Sequence, residues 1–437
     1  MFTNTFSPHV GGVAHSVAWL AEDLRSDGHR VLVIAPEFAG MPANEPDVVR
    51  VPAVQRFRGS DFSVPIPLSR SLDEALDDFE PEIVHSHHPF LLGDTALRVS
   101  ASRKLPVLYT YHTRYELYGH YLAQDAPALQ RLVLSLALGY SDLSDAVIAP
   151  SRSMAIFLAD HGVRTPVTVI PTGIELARFG NGDGTRARSV AGIPEDAFIV
   201  GHVGRLAPEK NLEYLTDAVR RFLIANEAAH FLVAGRGEMM PLVEQTFAGA
   251  GLGARLHLAG AIEGVRLADT YAAMDVFAFS SHSETQGLVL AEAMAAGVPV
   301  VALDAPGARE IVSDGRNGRL LPADASADRV AKALAWVSGR DPSDRQRLHK
   351  AARQTARLYA RPRTTRQTLA LYRSLLAERP GKRDIEKSSW KAAMLRLGEE
   401  WKIFRNVAHA VGDAVFTPDL MQPARTASSP PRGRTCV

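Results

Sequence analysis

The chain has 437 residues, more than one hydrophobic core usually holds, so two domains are expected. Hydrophobic residues make up 46% of the sequence and charged residues 22%, a composition typical of globular proteins. The net charge of +1 argues against wholesale nucleic-acid binding, which requires a basic excess, and no nucleic-acid partner is expected.

The single cysteine and the distribution of apolar residues indicate where in the cell the protein resides. Cys436 is the single cysteine, so a disulfide within the chain is excluded and a reducing cytosol is expected. No apolar run reaches the roughly 18 residues that a membrane span needs. The start also lacks the charged and apolar regions of a secretory signal. These features predict a cytoplasmic protein.

The first predicted strand, within residues 1–6, is unusually short. A buried parallel strand usually has about five or six mostly apolar residues, and little of that lead-in is present here. Two interpretations are open. Either the true start of the protein lies upstream of Met1, or this strand is short.

The first part of the chain alternates between apolar runs and amphipathic stretches. Strands are predicted at residues 31–35, 83–85, 107–111 and 147–149, with helices that include residues 13–24 and 95–102. This alternation predicts βαβ units and a parallel sheet covered on both faces.

The alternation breaks at residues 181–185, a polar, turn-rich linker, and then resumes. Further strands are predicted at residues 198–203, 231–234, 256–258, 276–279 and 298–302. The fold class is therefore α/β, with two doubly wound domains, residues 1–180 and 181–362, facing each other across a cleft. Ligands of such sheets bind beyond the carboxyl ends of the strands.

The C-terminal part of the chain differs in character. A helix over residues 363–380 is expected to pack back on the first domain, and the last segment, 417–437, is expected to be disordered. Between them, residues 381–416 place Trp390, Met394 and Trp401 on one face of an amphipathic helix. Two interpretations stay open for this helix: it lies in a membrane interface, or it packs against protein, either within the chain or in a homodimer.

Gly11 and Gly12 stand in a turn between the first strand and the first helix. Two glycines let the backbone approach a phosphate closely, and the helix N-terminus offers N–H groups and a positive dipole end. The pattern is neither a dinucleotide fingerprint nor a P-loop. By itself it also fits an ordinary strand-to-helix turn.

Arg205 and Lys210 lie five residues apart in the loop that follows the first strand of the second half. A turn containing Pro208 separates them and allows both cations to reach one point in the cleft. A pyrophosphate leaving group requires such a pair, because its charge grows as the bond to it breaks. The alternative is two solvated loop cations.

Glu284 and Glu292 flank the start of a helix after the strand at residues 276–279. Carboxylates accept paired hydrogen bonds from vicinal hydroxyls, which suits both to ribose or hexose. The backbone N–H groups of Gln286, Gly287 and Leu288 are suited to phosphate or sugar oxygens. The alternative for Glu292 is an exposed helix charge, although its surroundings in the sequence are apolar.

These motifs in this order resemble the retaining GT-B glycosyltransferases of family 4, over residues 1–375. The strongest match is the family's signature of two glutamates separated by seven residues, at Glu284 and Glu292. The resemblance implies that Arg205 and Lys210 bind the donor diphosphate. It also implies that Glu292 binds the nucleotide ribose and that Glu284 contacts the transferred sugar.

Two further details resemble the diacylglycerol glucosyltransferase branch of this family. Gln286 stands where many members have Phe, and the Tyr- and His-rich run over residues 110–121 is similar to one in that branch. By family analogy His112, which follows the strand at residues 107–111, lies near the reacting sugar and orients it or stabilises developing charge. The alternative is a buried histidine that shapes the cleft.

The resemblance also implies the chemistry and the partners. The expected reaction is a front-face transfer in which the leaving phosphate helps to deprotonate the acceptor hydroxyl. No metal and no cofactor are expected. The donor is UDP-glucose, with GDP-mannose as runner-up, and base contacts are expected near residues 235–237 and 259–261. The acceptor is a lipid such as diacylglycerol, which would place the enzyme peripherally on the inner face of the membrane.

Other functions stay open at this point. Within transferases, the acceptor is alternatively a soluble sugar or a polysaccharide. A nucleotide-sugar isomerase or a phosphorylase uses the same two-domain fold, but the signature glutamates and the missing pyridoxal-lysine context argue against both. A non-catalytic nucleotide-sugar binding protein is the remaining rival, against which the intact set of motif residues argues.

Overall fold

The computed structural model describes residues 1–54, 64–65, 70–115, 127–378 and 402–403. The described chain forms two α/β halves, each built on a sheet of parallel strands. The strands of the first half are β1 (Val33–Pro36), β2 (Val48–Val51), β3 (Ala53–Val54), β4 (Val64–Pro65), β5 (Val84–Ser86), β6 (Val107–Thr110), β7 (Ala146–Ala149) and β8 (Val167–Val169). The helices of this half are α1 (Gly12–Ser26), α2 (Arg70–Phe79), α3 (Leu92–Arg103), α4 (Pro127–Leu143), α5 (Arg152–Asp160) and α6 (Leu176–Gly180).

The N-terminal segment occupies the centre of the first sheet. β1 pairs with β2, and β5, β6, β7 and β8 pair in that order, all of them parallel. Phe2 joins the two sets, because it bridges to Ile34 on one side and to Ser86 on the other. With that segment counted first, the strands wind outward in both directions from it, as in a doubly wound sheet. β3 and β4 form a separate antiparallel pair.

The second half repeats this winding. Its strands are β9 (Phe198–Val203), β10 (Ala229–Ala234), β11 (Leu256–Gly260), β12 (Val276–Phe279), β13 (Val300–Leu303) and β14 (Gly318–Leu321). Its helices are α7 (Gly184–Ala191), α8 (Leu212–Ala225), α9 (Met240–Gly249), α10 (Gly264–Ala272), α11 (Leu288–Ala295), α12 (Ala308–Ile311), α13 (Ala327–Ser338) and α14 (Pro342–Ala356). The sheet order is β11-β10-β9-β12-β13-β14, parallel throughout.

Helices cover both faces of the second sheet, which is why its strands are largely apolar and two of them, β12 and β13, are apolar throughout. All four residues of β12 and of β13 are buried. One core contains residues of α11 and α14, and the other contains residues of α8 and α13. The prediction of doubly wound parallel sheets is confirmed, and the predicted strand at residues 298–302 begins two residues later, at Val300.

The chain returns to the first half through α15 (Arg361–Glu378), which packs against α1. Arg361 fixes this contact through ion pairs with Glu22 at 2.6 Å and Asp23 at 2.5 Å. Next to it, the amide of Ile174 donates to the carbonyl of Tyr359 at 2.7 Å, so the two connections between the halves run side by side. The domain boundaries predicted near residues 180 and 362 stay a prediction.

Most of the predicted C-terminal elements, at residues 381–416 and 417–437, lie outside the described residues. Ile403 is an exception, and it packs against the core of the first half. Within the described ranges, no helix combines the length and the apolar character needed to cross a membrane.

Candidate active site

The predicted site residues lie beyond the carboxyl ends of parallel strands in both halves. Arg205 follows β9, Glu284 follows β12, and His112 follows β6. The winding of the two sheets therefore accounts for their convergence, because the ends of centrally placed parallel strands open onto one crevice.

Two helix N-termini face each other at this crevice. Gly11 caps α1, which begins at Gly12, and Gly287 caps α11, which begins at Leu288. A Cβ atom placed on Gly12 would lie 4.0 Å from Cδ1 of Leu288, so the two helix starts are in near contact. Neither cap has a side chain to occupy the backbone N–H groups of the first turn, which are left to bind an anion. Gly287 has φ of +73°, a left-handed conformation that favours glycine.

Both predicted phosphate-binding cations are paired with carboxylates. Arg205 contacts Glu209 at 2.6 Å, and Lys210 contacts Glu284 at 2.5 Å. The Arg205 side chain is 47% exposed, whereas the Lys210 side chain is 16% exposed. The structure thus brings Lys210 and Glu284 into direct contact, a feature that their separation in sequence does not indicate.

The backbone of the Arg205 loop packs tightly on the loop at residues 235–237. A Cβ atom on Gly235 would overlap the carbonyl oxygen of Gly204, and one on Gly237 would overlap that of Leu206. Both glycines also have φ values between the extended and left-handed regions, +143° and +159°. The predicted base-contact loop therefore buttresses the cation loop, and glycine is needed at these two positions because of the close approach.

Glu292 is buried on α11, with 8% of its surface exposed. The interpretation of Glu292 as an exposed helix charge is therefore wrong. Its Oε2 atom accepts a hydrogen bond from the Tyr271 hydroxyl at 2.7 Å. Burial raises the pKa of Glu292, and the hydrogen bond from Tyr271 and the charge of Arg178 oppose that shift. Sequence analysis missed Tyr271, because no spacing pattern links it to Glu292.

His112 belongs to a cluster of four histidines at the ends of β5 and β6. Nε2 of His112 lies 2.9 Å from Nδ1 of His87. Burial lowers the pKa of His112 and of His88 to about 3, and burial also lowers the pKa of His85 and His87 well below the ordinary value. All four rings are therefore neutral near neutral pH. The other three histidines carried a usable signal in the sequence, because His85 ends a predicted strand and His87 and His88 follow it at the same sheet edge.

Several hydrogen bonds between described residues cross between the halves at this crevice. The hydroxyl of Thr285 donates to the carbonyl of His112 at 2.9 Å. The side-chain amide of Gln286 accepts from the amide of Thr172 at 2.6 Å and donates to the carbonyl of Thr172 at 2.9 Å. The amide of Ser153 donates to Glu310 at 2.8 Å. The segment that carries Glu284 is therefore attached to the first half on its C-terminal side.

The position of Gln286 limits what it can do for a donor. Only 4% of its surface is exposed, and both ends of its side-chain amide contact Thr172. A donor-binding role for Gln286 therefore rests on its backbone N–H group. Within the part of the chain that the structure describes, no group of three or more His, Cys, Asp or Glu residues has a metal-binding arrangement.

Comparisons with protein families match both halves. The model for Glycosyltransferase Family 4 matches residues 10–178, and the model for Glycosyl transferases group 1 matches residues 183–355. The alpha-monoglucosyldiacylglycerol synthase of Streptococcus pneumoniae is 31% identical over 329 residues, covering 73% of this chain and 74% of that protein. A GDP-mannose-dependent alpha-mannosyltransferase of Mycobacterium tuberculosis is 32% identical over 360 residues, covering 80% and 89%.

Solved structures are similar over most of the chain. Sucrose-phosphate synthase from Thermosynechococcus elongatus has a TM-score of 0.68 at 22% identity, covering 84% of this chain and 94% of that one. Anabaena HepE in complex with UDP-glucose has a TM-score of 0.67 at 20% identity, covering 85% and 99%. At these identities the likeness concerns the fold.

Proposed function

Because the chain belongs to glycosyltransferase family 4, we propose that it transfers a hexose from a nucleotide sugar bound in the cleft to the hydroxyl group of a lipid such as diacylglycerol. The chain has the predicted GT-B architecture and is a glycosyltransferase of the retaining class. Its particular donor, its acceptor and the roles of its residues are the proposal.

The contact between Lys210 and Glu284 carries this proposal. It places a cation suited to a diphosphate beside a carboxylate suited to sugar hydroxyls, 2.5 Å apart. The bond that breaks in a nucleotide sugar joins the sugar to the diphosphate. A donor seated here would exchange the ion pair for a phosphate–Lys210 contact and a hydroxyl–Glu284 contact, each of them charge-assisted.

The remaining donor contacts follow from the same placement. Arg205, which is half-exposed, would exchange its ion pair with Glu209 for the outer phosphate oxygens. The N–H groups at Gly12 and at Leu288 approach the donor from opposite sides of the cleft. Glu292 holds the ribose hydroxyls, with Tyr271 fixing the orientation of its carboxylate.

The proposed chemical step needs no protein nucleophile. The bond between the sugar C1 and the phosphate oxygen breaks, while the acceptor oxygen forms a bond to C1 on the same face. The proton of the acceptor hydroxyl passes to the departing phosphate oxygen. Arg205 and Lys210 stabilise the charge that develops on the phosphate, and neutral His112 hydrogen-bonds a hydroxyl of the sugar without adding a competing positive charge.

The donor is proposed to be UDP-glucose, because a similar protein is a monoglucosyldiacylglycerol synthase. GDP-mannose is the second candidate, because another relative is a GDP-mannose-dependent mannosyltransferase. A thermal-shift screen of the purified chain with both nucleotide sugars tests this choice, since a ligand that binds only the native state raises its stability. We expect the larger shift with UDP-glucose. A larger shift with GDP-mannose would reverse the assignment.

A lipid acceptor is tested by product formation and by membrane binding. We expect the chain to convert diacylglycerol in vesicles to a glycosylated lipid, and to float with those vesicles. A variant that ends at residue 384 lacks the predicted amphipathic helix and should float less than the full chain. Transfer only to soluble sugars would contradict the lipid acceptor, and donor binding without any transfer or hydrolysis would favour a non-catalytic binding protein.

A further inference from the structure

A small cavity adjoins the histidine cluster, three members of which line it. It has a volume of about 40 Å³, is partly open, and is lined by residues of α1 and α15, of the ends of β5 and β6, and of the segment 170–173. His87, Thr110, Asp23 and Thr365 are among the residues that line it. A water molecule needs about 10–15 Å³ of such volume and two or more polar partners, so this cavity is suited to two or three waters.

His85 forms the rigid floor of the cluster. Its Nδ1 atom lies 2.6 Å from the Tyr372 hydroxyl, and its Nε2 atom lies 2.7 Å from the Thr110 hydroxyl. Both ring nitrogens are therefore engaged. Its ring packs against that of His87, with the centroids 4.0 Å apart. Tyr372 belongs to α15, so the C-terminal helix fixes His85, and His85 supports His87.

His87 differs from His85 because only one of its two ring nitrogens has a hydrogen-bond partner among the described residues. Only 1% of its surface is exposed. Its Nδ1 atom lies 2.9 Å from Nε2 of His112, while its Nε2 atom has no hydrogen-bond partner among the described residues. A buried polar atom without a partner costs about 1–3 kcal/mol. His87 also lines the adjacent cavity.

From this geometry we infer that His87 is a positioning residue, which fixes the ring orientation and the tautomer of His112 for sugar transfer. The inference rests on the proposed function, because it assigns His112 to the sugar. Two neutral imidazoles share one proton in a hydrogen bond, so the nitrogen that donates in one ring decides the tautomer of the other. His87 thereby decides whether Nδ1 of His112 is a donor or an acceptor.

The contact on the opposite side of His112 completes the arrangement. Its carbonyl accepts the hydroxyl of Thr285, the residue next to Glu284. The backbone of His112 is thus fixed from the donor loop, and its ring is fixed by His87. A residue whose backbone and ring are both held can present a hydrogen bond of defined direction to the sugar, and such positioning lowers a barrier.

Three substitutions of His87 separate this role from simple packing. His87→Asn keeps a hydrogen-bonding group where Nδ1 stands, His87→Gln keeps one where Nε2 stands, and His87→Ala keeps neither. The tautomer of His112 is read from the ¹⁵N shifts of labelled histidine rings. We expect one tautomer in the wild type and in His87→Asn, and a mixture in His87→Gln and His87→Ala.

Kinetics provide the second measurement. We expect His87→Gln to lower kcat by about 10- to 100-fold with the donor KM within about twofold of wild type, as for a misplaced catalytic group. His87→Asn should recover most of that loss. His88→Ala is the matched control, because His88 is buried nearby and accepts from the amide of Asn4 rather than contacting His112. It should destabilise the protein without changing the His112 tautomer.

Different results would contradict the role of His87 and the proposed function. A single His112 tautomer in every variant, or equal kcat for His87→Asn and His87→Gln, would overturn the inference. If the alanine variant does not fold, the Asn and Gln variants still decide, because both fill the site. Absence of sugar transfer by the wild type would overturn the proposed function instead, since the ring spectra require no substrate.

Discussion

The two sides of the cleft differ in charge. On the side of the second half, two cations stand in ion pairs, Arg205 with Glu209 and Lys210 with Glu284. On the side of the first half, the described polar groups include the four histidines of the cluster, which burial keeps neutral. These two groups of residues are called the charged wall and the neutral wall.

This difference matches the two ends of a nucleotide sugar. A diphosphate is recognised by charge, and charge is worth most where paired groups are already in position. Sugar hydroxyls are recognised by direction, and neutral donors and acceptors supply direction without attracting the wrong ligand. The contacts of Thr285 and Gln286 join the walls, so the position of one constrains the other.

Removing charge from the charged wall should have the largest effect. We expect Lys210→Ala to lower kcat by about 100- to 1,000-fold, the usual cost of deleting one group that stabilises developing negative charge. Glu284→Ala removes the carboxylate that lies 2.5 Å from Lys210 and that is proposed to bind the sugar, so it should lower transfer strongly as well. Transfer to lipid is measured at saturating donor, with circular dichroism to check the fold.

Lys350→Ala is the control for this test. Lys350 lies on α14 and is exposed, so its removal changes the net charge equally without touching the cleft. Near wild-type turnover in Lys210→Ala, with the fold intact, would contradict the assignment of the charged wall.

Disconnecting the two walls should have an intermediate effect. Gln286→Glu keeps an acceptor for the amide of Thr172 but places a carboxylate oxygen against the carbonyl of Thr172, where Nε2 now donates at 2.9 Å. We expect kcat/KM to fall about tenfold, corresponding to one buried hydrogen bond lost. Gln346→Glu on the exposed surface of α14 adds the same charge and should have no effect. Equal activities of these two variants would show that the contact with Thr172 is dispensable.

The sheets and the ends of their strands could be predicted from the sequence, but the contacts between side chains could not. Buried parallel strands are recognisable as apolar runs, so the positions of Arg205, Glu284 and His112 after strand ends could be predicted, while their roles stay a prediction. The partners of Gln286 and Glu292 were not found, because Thr172 and Tyr271 reach them only through packing between separate elements. No local pattern encodes such a meeting.

The neutral wall predicts a dependence of stability on pH. The pKa of His88 is about 3 in the fold, against about 6.5 in an unfolded chain, so only the unfolded chain takes up a proton between these values. The free energy of unfolding should therefore be highest above about pH 6.5 and fall as the pH decreases, by about 1.4 kcal/mol per pH unit for each such histidine. Urea unfolding between about pH 6 and pH 5 should show a smaller slope for His88→Asn than for wild type. Parallel curves would mean that His88 is protonated in the fold.

The smallest effect is expected at the edge of the charged wall, where Tyr271 orients Glu292. Tyr271→Phe removes the 2.7 Å hydrogen bond and raises the pKa of Glu292 further, because that bond favours the ionised carboxylate. If Glu292 holds the ribose equally in the ground state and the transition state, the donor KM should rise about fivefold with kcat nearly unchanged. The KM should recover at higher pH, where more of Glu292 is ionised. A loss in kcat with KM unchanged would instead place Glu292 close to the reacting bond.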